Sequence, residues 1–522
     1  MLSKLTIRQK AQQTAVLRIR KDQFVSDQVG AAFFFGEIIT EASDIGLENG
    51  RQLLRRYADN AEIPMLITSD FENGCGSMLR GLTILPYMMS LGAANSEELA
   101  YAYGRATALE ARSVGANWTF SPVSDLNTNP RNPLVNVRGL TDDPDLACRL
   151  LTQVVRGMQD NGLAACAKHF PGDGVDWRDQ HIITTNNTLS REEWTRQHGR
   201  VFKHLIDAGV YSIMAGHISL PAYQTKEKNG MYLPATLSKE LICDLLKGEM
   251  GFEGVVVTDA MDMGGFNGWY DTLEQTEIES FKAGCDMLLW PTPGYVDNLV
   301  AAVESGEVPM ERLDDAVARI LRMKEKLGLF TEPFMRPVTE EEQQEILDVQ
   351  RRVADASITL LRDECSVFPL APEKTGRIAL IPVTHHEPAM QEAHRLAGRL
   401  RERGFDVDMH ENGLDDSRQD SYGLILYALF SRPFRPIGFL DFMGPQAIKV
   451  QRSLQAGVNK TLIVSFGSPY FAEQYFERAR AMVNAYSMLP PSVDAFVRAA
   501  CGDVPFTDFS PVKLYRYAFE RP

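Results

Sequence analysis

Short apolar runs, each closed by turn residues and followed by a helical pattern, recur along roughly the first 300 residues, and they constrain the fold most. The runs are Gly30–Phe35 (GAAFFF), Pro64–Ser69 (PMLITS), Ala116–Ser121 (ANWTFS), Leu163–Lys168 (LAACAK), Tyr211–Ala215 (YSIMA), Gly254–Thr258 (GVVVT) and Asp286–Trp290 (DMLLW). Between them lie stretches with apolar residues at helical spacing, such as Ser96–Ser113 and Leu237–Glu249. Strand–helix alternation makes a parallel sheet, because each helix carries the chain back to the same edge. Seven such strands predict an α/β fold of the closed (β/α)8 barrel type rather than an open sheet. The eighth strand has no clear run of its own.

The segment Thr331–Gln350 (TEPFMRPVTEEEQQEILDVQ) reads as a linker entering a helix. Beyond it, Ile358–Leu361, Arg377–Pro382, Gly423–Ala428, Lys460–Phe466 and Ala481–Ser487 again alternate with helical patterns and predict an α/β sandwich. The expected division is a barrel over 1–335, a linker and helix over 336–356, and a sandwich over 357–522. A chain of 522 residues is too long for one ordinary core.

Lys and Arg number 54 against 69 Asp and Glu, so the net charge is 54 − 69 = −15. That argues against a nucleic-acid or anionic-membrane partner. No stretch is apolar and long enough to span a bilayer. The amino terminus, MLSKLTIRQKAQQTAVLRIRK, is basic without an apolar signal core. Seven scattered cysteines, an odd number with no C-x-x-C, suggest neither a disulfide framework nor a zinc site. A reduced, cytoplasmic setting is expected.

A barrel puts its chemistry at the carboxyl ends of its strands. Those ends carry Asp70, Asp125, Lys168-His169, His217, Asp259 and Trp290. One Asp after a strand is ordinarily a cap or turn former. Such groups after nearly every strand are harder to explain by capping, since Ser, Thr or Asn would cap as well. Asp259 stands out because the unbroken pattern before it is that of a strand buried on both faces. A carboxylate there is held rigidly, as a nucleophile requires. The alternative is that Asp259 caps the next helix, although Asp262 is the better cap.

The segment KHFPGDGVDWRDQH (168–181) raises a second question. Turns need Gly and Pro, but they do not need Asp173, Asp176, Asp179 and two imidazoles. Asp179-Gln180-His181 sets a carboxylate two residues before an imidazole. A carboxylate on one ring nitrogen fixes the tautomer and leaves the other nitrogen free to exchange a proton. By itself this spacing is common and describes a solvated polar loop. Pro171, Gly172 and Gly174 leave the loop's base irregular, so the loop is expected to move.

Together these residues resemble glycoside hydrolase family 3, most closely its β-N-acetylglucosaminidase branch. The family's K-H-F/S-P-G-x-G turn appears as Lys168–Gly174, the branch's D-S-H loop as Asp179-Gln180-His181, and the nucleophile motif as Thr258-Asp259-Ala260-Met261-Asp262-Met263. Phe120–Asp125 resembles the A-P-V-x-D strand end, and Asn129–Pro133 with Val137-Arg138-Gly139 resembles N-P-R-N-P…S-R-S. Ala356–Leu361 and Val464–Tyr470 resemble parts of the family's second domain, so the likeness covers nearly the whole chain. There are departures. D-Q-E-G-G-R-V is here Asp70-Phe71-Glu72-Asn73-Gly74-Cys75-Gly76, without the Arg, and the second position of the G-H-G turn is Asp173.

The resemblance implies a retaining exo-β-N-acetylglucosaminidase. Asp259 is the nucleophile, and His181, held by Asp179, is the acid and base. Asp70, Arg138, Lys168 and His169 bind the terminal sugar. Lys168 and His169 alone would read as packing at the barrel mouth. His217 reads equally as a buried, hydrogen-bonded histidine or a support for the site, and Trp290 as a face for the sugar or a plug. The partner is a small carbohydrate, and neither metal nor cofactor is implied. Three rivals stand: a β-glucosidase or β-xylosidase of the same family, a glycoside phosphorylase, and a non-catalytic sugar-binding protein. Asp179 with His181 argues against the first, and the three catalytic positions together argue against the last. The second domain is expected to be mainly structural. Its loop Phe430–Phe442, with Arg432 and Arg435, reads as a surface loop, although its composition also suits a contact with the barrel mouth. The oligomeric state is left open.

Overall fold

Eight short strands alternate with helices in the amino-terminal three hundred or so residues: β1 Ala15–Ile19, β2 Ala31–Phe34, β3 Leu66–Ser69, β4 Trp118–Thr119, β5 Cys166–Phe170, β6 Ser212–Ala215, β7 Val255–Ala260 and β8 Met287–Leu289. The structure is a computed structural model that describes residues 2–19, 31–34, 46–414, 416–431, 436–438 and 440–514. The strands form one parallel sheet in the order β4-β3-β2-β1-β8-β7-β6-β5, so each lies beside its neighbour in sequence. Backbone hydrogen bonds also join the two ends of this order: Thr119 N to Ala164 O at 3.0 Å and Cys166 N to Ser121 O at 2.8 Å.

Alternate strand residues enter two cores. Val16, Leu66, Trp118, Cys166, Met214, Val257 and Met287 gather in one. Ile67, Ala167, Ile213, Val256 and Leu288 join the core shared with the helices. Burial of both faces is why these strands read as continuous apolar runs. The strand without a clear run is β1. It follows the helix Ile7–Gln13, capped by Thr6 and Gln9, and carries Arg18 within a basic segment.

The second sheet comprises β9 Thr359–Asp363, β10 Ile378–Val383, β11 Val407–Met409, β12 Leu424–Phe430, β13 Thr461–Phe466 and β14 Ala481–Asn484. Its order is β9-β14-β13-β12-β10-β11, parallel except for β9 against β14. Leu380, Leu426 and Val464 face the helices Glu387–Glu402 and Pro490–Ala500. Ile381, Tyr427 and Ile463 face Pro445–Gln451 and Tyr470–Phe476. The five predicted runs are all strands here, and only the three-residue β11 had no counterpart among them.

Between the sheets runs the helix Glu340–Ser357. Thr339 and Glu342 close its amino end as a capping box, which satisfies otherwise orphaned backbone donors. Arg105 pairs with Glu345 at 2.8 Å across this junction. Among the described residues, no helix is long and apolar enough to cross a membrane.

Candidate active site

Asp259 lies in the last turn of pleat of β7, buried, with its Oδ1 accepting from Ala260 N at 2.8 Å. Its Oδ2 has no hydrogen-bond partner among the described residues, and His169 Nε2 stands 3.8 Å from it. Burial alone would raise this carboxyl. The charges of His169, His217, His181 and Lys168 prevail and bring it down to about 2. Asp259 is therefore ionised, rigid and free at one oxygen. No helix begins nearby, since the next is Leu273–Ala283, capped by Thr272. Neither Asp259 nor Asp262 is a helix cap; Asp262 is exposed, 3.9 Å from Arg18.

β5 presents two neighbouring groups. Lys168 Nζ reaches Asp70 Oδ1 at 2.6 Å and Glu72 Oε1 at 2.8 Å. Glu72 in turn takes a two-pronged contact from Arg138, Nε at 2.9 Å and Nη2 at 2.8 Å. Arg138 is buried, which would lower its pKa, but the charge and hydrogen bonds of Glu72 raise it. Asp70, Lys168, Glu72 and Arg138 thus form one chain of alternating charge. Glu72 was not among the expected site residues; its signal was Asp-x-Glu directly after β3.

His169 is aligned by Asp125, whose Oδ2 meets Nδ1 at 2.7 Å while Oδ1 accepts His169 N at 3.0 Å. Asp125 Oδ1 also accepts Asp173 N at 2.7 Å. Asp173 itself is buried. Burial and the neighbouring Asp125 push its carboxyl up to about 8, against the hydrogen bonds of Gly174 N and Asn132.

The third group is the expected pair. His181 Nδ1 lies 2.7 Å from Asp179 Oδ1, which also accepts His181 N at 2.8 Å. Burial would raise the Asp179 carboxyl, but His181 and the backbone N–H groups on it hold it below the usual carboxylate range. The loop is held by several hydrogen bonds despite the glycines at its base. Gln180, buried between the pair, accepts His217 N at 2.8 Å and donates to Asp173 Oδ2 at 3.2 Å. Gly264 N donates to His181 O at 2.8 Å, and Gly265 N to Gln180 O at 3.2 Å. The acid-bearing loop thus rests on the loop that follows Asp259. Asp176 is occupied by Arg178 and Asn186 N.

His217 and Trp290, each open to two readings, have defined neighbours. His217 donates Nε2–H to Ala260 O at 3.0 Å, accepts or donates at Nδ1 with Thr236 Oγ1 at 3.0 Å, and burial lowers its pKa. It is a buried histidine with both ring nitrogens hydrogen-bonded, and it props the peptide next to Asp259. Trp290 carries the Arg18 guanidinium 4.0 Å over its ring, so one face is already taken. In the second sheet's loop, Arg432 and Arg435 lie outside the described residues. Ile437 of that loop does reach the site: its N–H donates to Asp179 Oδ2 at 2.7 Å.

A rigid ionised carboxylate, a carboxylate-held imidazole and buried cations, gathered at the carboxyl ends of parallel strands, define a glycoside hydrolase. The chain belongs to glycosyl hydrolase family 3: the profile of the family's N-terminal domain matches residues 6–323. It is 32% identical over 483 residues to a β-N-acetylglucosaminidase/β-glucosidase of Cellulomonas fimi, a match covering 87% of this chain and 84% of that protein. Its structure is similar to that of the β-glucoside phosphorylase BglX (TM-score 0.89, 29% identity, 98% of this chain and 94% of that one). It is also similar to a family 3 β-N-acetylglucosaminidase from Paenibacillus sp. str. FPU-7 (TM-score 0.81, 27% identity, 98% and 99%).

Proposed function

We propose that the protein is a retaining exo-β-N-acetylglucosaminidase, with the first sheet closed as a (β/α)8 barrel over residues 1–335 and the second domain over 357–522. The observation that carries the reading is Asp259: buried, ionised, and free at Oδ2. In the first step Oδ2 attacks the anomeric carbon, the glycosidic C–O bond breaks, and His181 Nε2 gives its proton to the leaving oxygen. Asp179 fixes Nδ1 as the other donor and balances the charge that the ring carries as an acid. In the second step His181 Nε2 takes a proton from water as the water oxygen displaces Asp259. Asp70, Lys168, Arg138 and His169 supply a carboxylate, two cations and an imidazole for the hydroxyls of the terminal sugar. The N-acetylglucosamine preference is supported by the relatives' named activities. A reduced, cytoplasmic setting is part of the proposal, and the seven unpaired cysteines are consistent with it.

Phosphorolysis is the second reading. An imidazole in place of a second carboxylate leaves no negative charge to repel phosphate at the acceptor position, and BglX is a phosphorylase. One assay separates the two: aryl β-glycosides of N-acetylglucosamine, glucose and xylose, each with and without phosphate. The proposal expects N-acetylglucosamine to be released at the highest rate and as the free sugar. Release as sugar 1-phosphate establishes the second reading, and preference for glucose or xylose overturns the sugar assignment. Asp259→Ala is expected to lose on the order of a thousandfold or more in kcat. Azide then restores turnover and yields the glycosyl azide of inverted configuration. Near-wild-type activity in that variant removes Asp259 from its role.

A further inference from the structure

The loop after β12 is fastened at both ends to the second sheet's layer. At its start, Ser431 N donates to Phe466 O at 3.2 Å, and Ser431 Oγ accepts Ser468 N at 2.7 Å. At its end, Phe442 is buried against Phe471 and Tyr475, with ring centroids 4.7 and 5.6 Å away, and Met443 N donates to His385 Nε2 at 2.7 Å. β12 stands beside β10, where the strand order of the sheet reverses. In doubly wound sheets the crevice at such a point is where ligands are held. Here Ile437, in the segment that follows β12, meets the first sheet's site instead: its N–H reaches Asp179 Oδ2 at 2.7 Å. A second tie lies close by: Asn136 Nδ2 donates to Ser468 Oγ at 3.2 Å, two residues before Arg138.

We propose that the second sheet's layer positions the proton-transferring pair, through the Ile437 N–H that locks the Asp179 carboxylate against His181. This rests on the reading of His181 as acid and base. Asp179 has no solvent-exposed side-chain surface, and one of its oxygens is spent on His181. Were Oδ2 uncommitted, the carboxylate plane could turn about Cβ–Cγ and carry the imidazole with it. A backbone donor on a charged oxygen makes a strong, directional bond. Its donor belongs to a loop anchored elsewhere, so the plane is set by the second sheet and not by the acid-bearing loop alone. Ile437 acts through Asp179 and is therefore a positioning residue. Removing its N–H weakens proton delivery and leaves sugar binding and the attack by Asp259 in place.

Proline at 437 deletes the N–H. Its Cδ takes the place of that hydrogen and faces Asp179 Oδ2, so the ester variant below tests the loss of the N–H without a ring. Kinetics are measured on dinitrophenyl β-N-acetylglucosaminide, which needs little acid help, and on the β-1,4-linked N-acetylglucosamine disaccharide, which needs a great deal. Ile437→Pro is expected to lose about tenfold or more in kcat/KM on the disaccharide and less than about twofold in kcat/KM on the dinitrophenyl substrate, because kcat/KM reports the first step alone and not the second, in which His181 acts as base. Ile437→Ala, which keeps the N–H, retains the wild-type ratio between the substrates. In an Asp179→Asn background, Ile437→Pro adds little further loss. An ester in place of the Ile437 peptide, which removes the N–H without a proline ring, gives the same split. Equal losses on both substrates in Ile437→Pro, or an undiminished loss in the Asp179→Asn background, overturn the proposal. His181→Gln separates the two levels of failure. If it loses activity mainly on the disaccharide while Ile437→Pro and the ester do not, the coupling alone fails. If His181→Gln loses equally on both, the acid/base assignment itself fails.

Discussion

Asp173 is a carboxyl in a place that does not favour a charge. It is buried, it faces Asp125, and its backbone and side chain together tie Asp125, Asn132 and Gln180 into one network. Its pKa in the folded protein, about 8, stands well above the unfolded value of about 3.9. The folded state therefore holds a proton that the unfolded state has released between those limits. The stability this supplies is complete below about pH 4 and lost as the pH climbs through about 8. Asp173→Asn is neutral throughout. Its Tm relative to the wild type is expected to rise steadily from about pH 4 to 8 and then level off, whatever constant offset the amide introduces. A pH-independent difference between the two would show that Asp173 is ionised in the folded protein. The sequence exposed Asp173 as a departure from the family's turn, but not its charge state. That depends on Asp125, 48 residues away in the chain.

At the scale of elements, the site is two loops laid against each other, and a pair of glycines permits it. A Cβ on Gly264 would sit 2.2 Å from Ile182 O. One on Gly265 would sit 2.5 Å from Gln180 O and 2.8 Å from His217 Cβ. The first obstacle in each case is backbone, which cannot swing aside as a side chain would. Gly265→Ala is therefore expected to lift the acid-bearing loop away from Asp259. The loss in kcat/KM should be about tenfold or more on the disaccharide and distinctly smaller on the dinitrophenyl substrate, since small displacements of a catalytic group are costly. An Ala variant with wild-type rates on both would mean that the loop is placed without this contact. Much at this scale was legible beforehand. The six strand ends flagged by polar or aromatic residues all belong to strands of the first sheet. What was not legible had physical reasons. β1 carries Arg18 and runs into a basic segment, so its apolar signal is weak. The acid-bearing loop has Gly and Pro at its base, yet it is pinned by partners from Asn132, His217 and Gly264 that no local pattern announces.

At the scale of the whole molecule, the two sheets are less separate than the linker composition suggests. Tyr87, Met89, Ala93 and Val137, all from the first part of the chain, are buried in the same core as Leu380, Leu426, Val464 and Phe496. None of the four belongs to a strand of the first sheet, and Met89 and Ala93 lie on the helix Met88–Ala94, which is buried all round and so shows no single outward face. Thr141 Oγ1 donates to Pro511 O at 2.5 Å, which adds a contact from near the end of the described chain. A chain ended after residue 335 would uncover this patch and discard Ile437 and Ser468 with it. Each large apolar side chain returned to water costs about 1.5–3 kcal/mol. Three of them weigh heavily against the roughly 5–15 kcal/mol that holds a domain folded. The shortened chain is therefore expected to aggregate or to melt without a cooperative transition, as size-exclusion chromatography and a thermal circular-dichroism scan would show. Any soluble fraction should retain activity on the dinitrophenyl substrate better than on the disaccharide, because the Asp179 lock is gone. A monodisperse fragment with a cooperative melt and the wild-type ratio of rates would establish that the first sheet and its site stand alone.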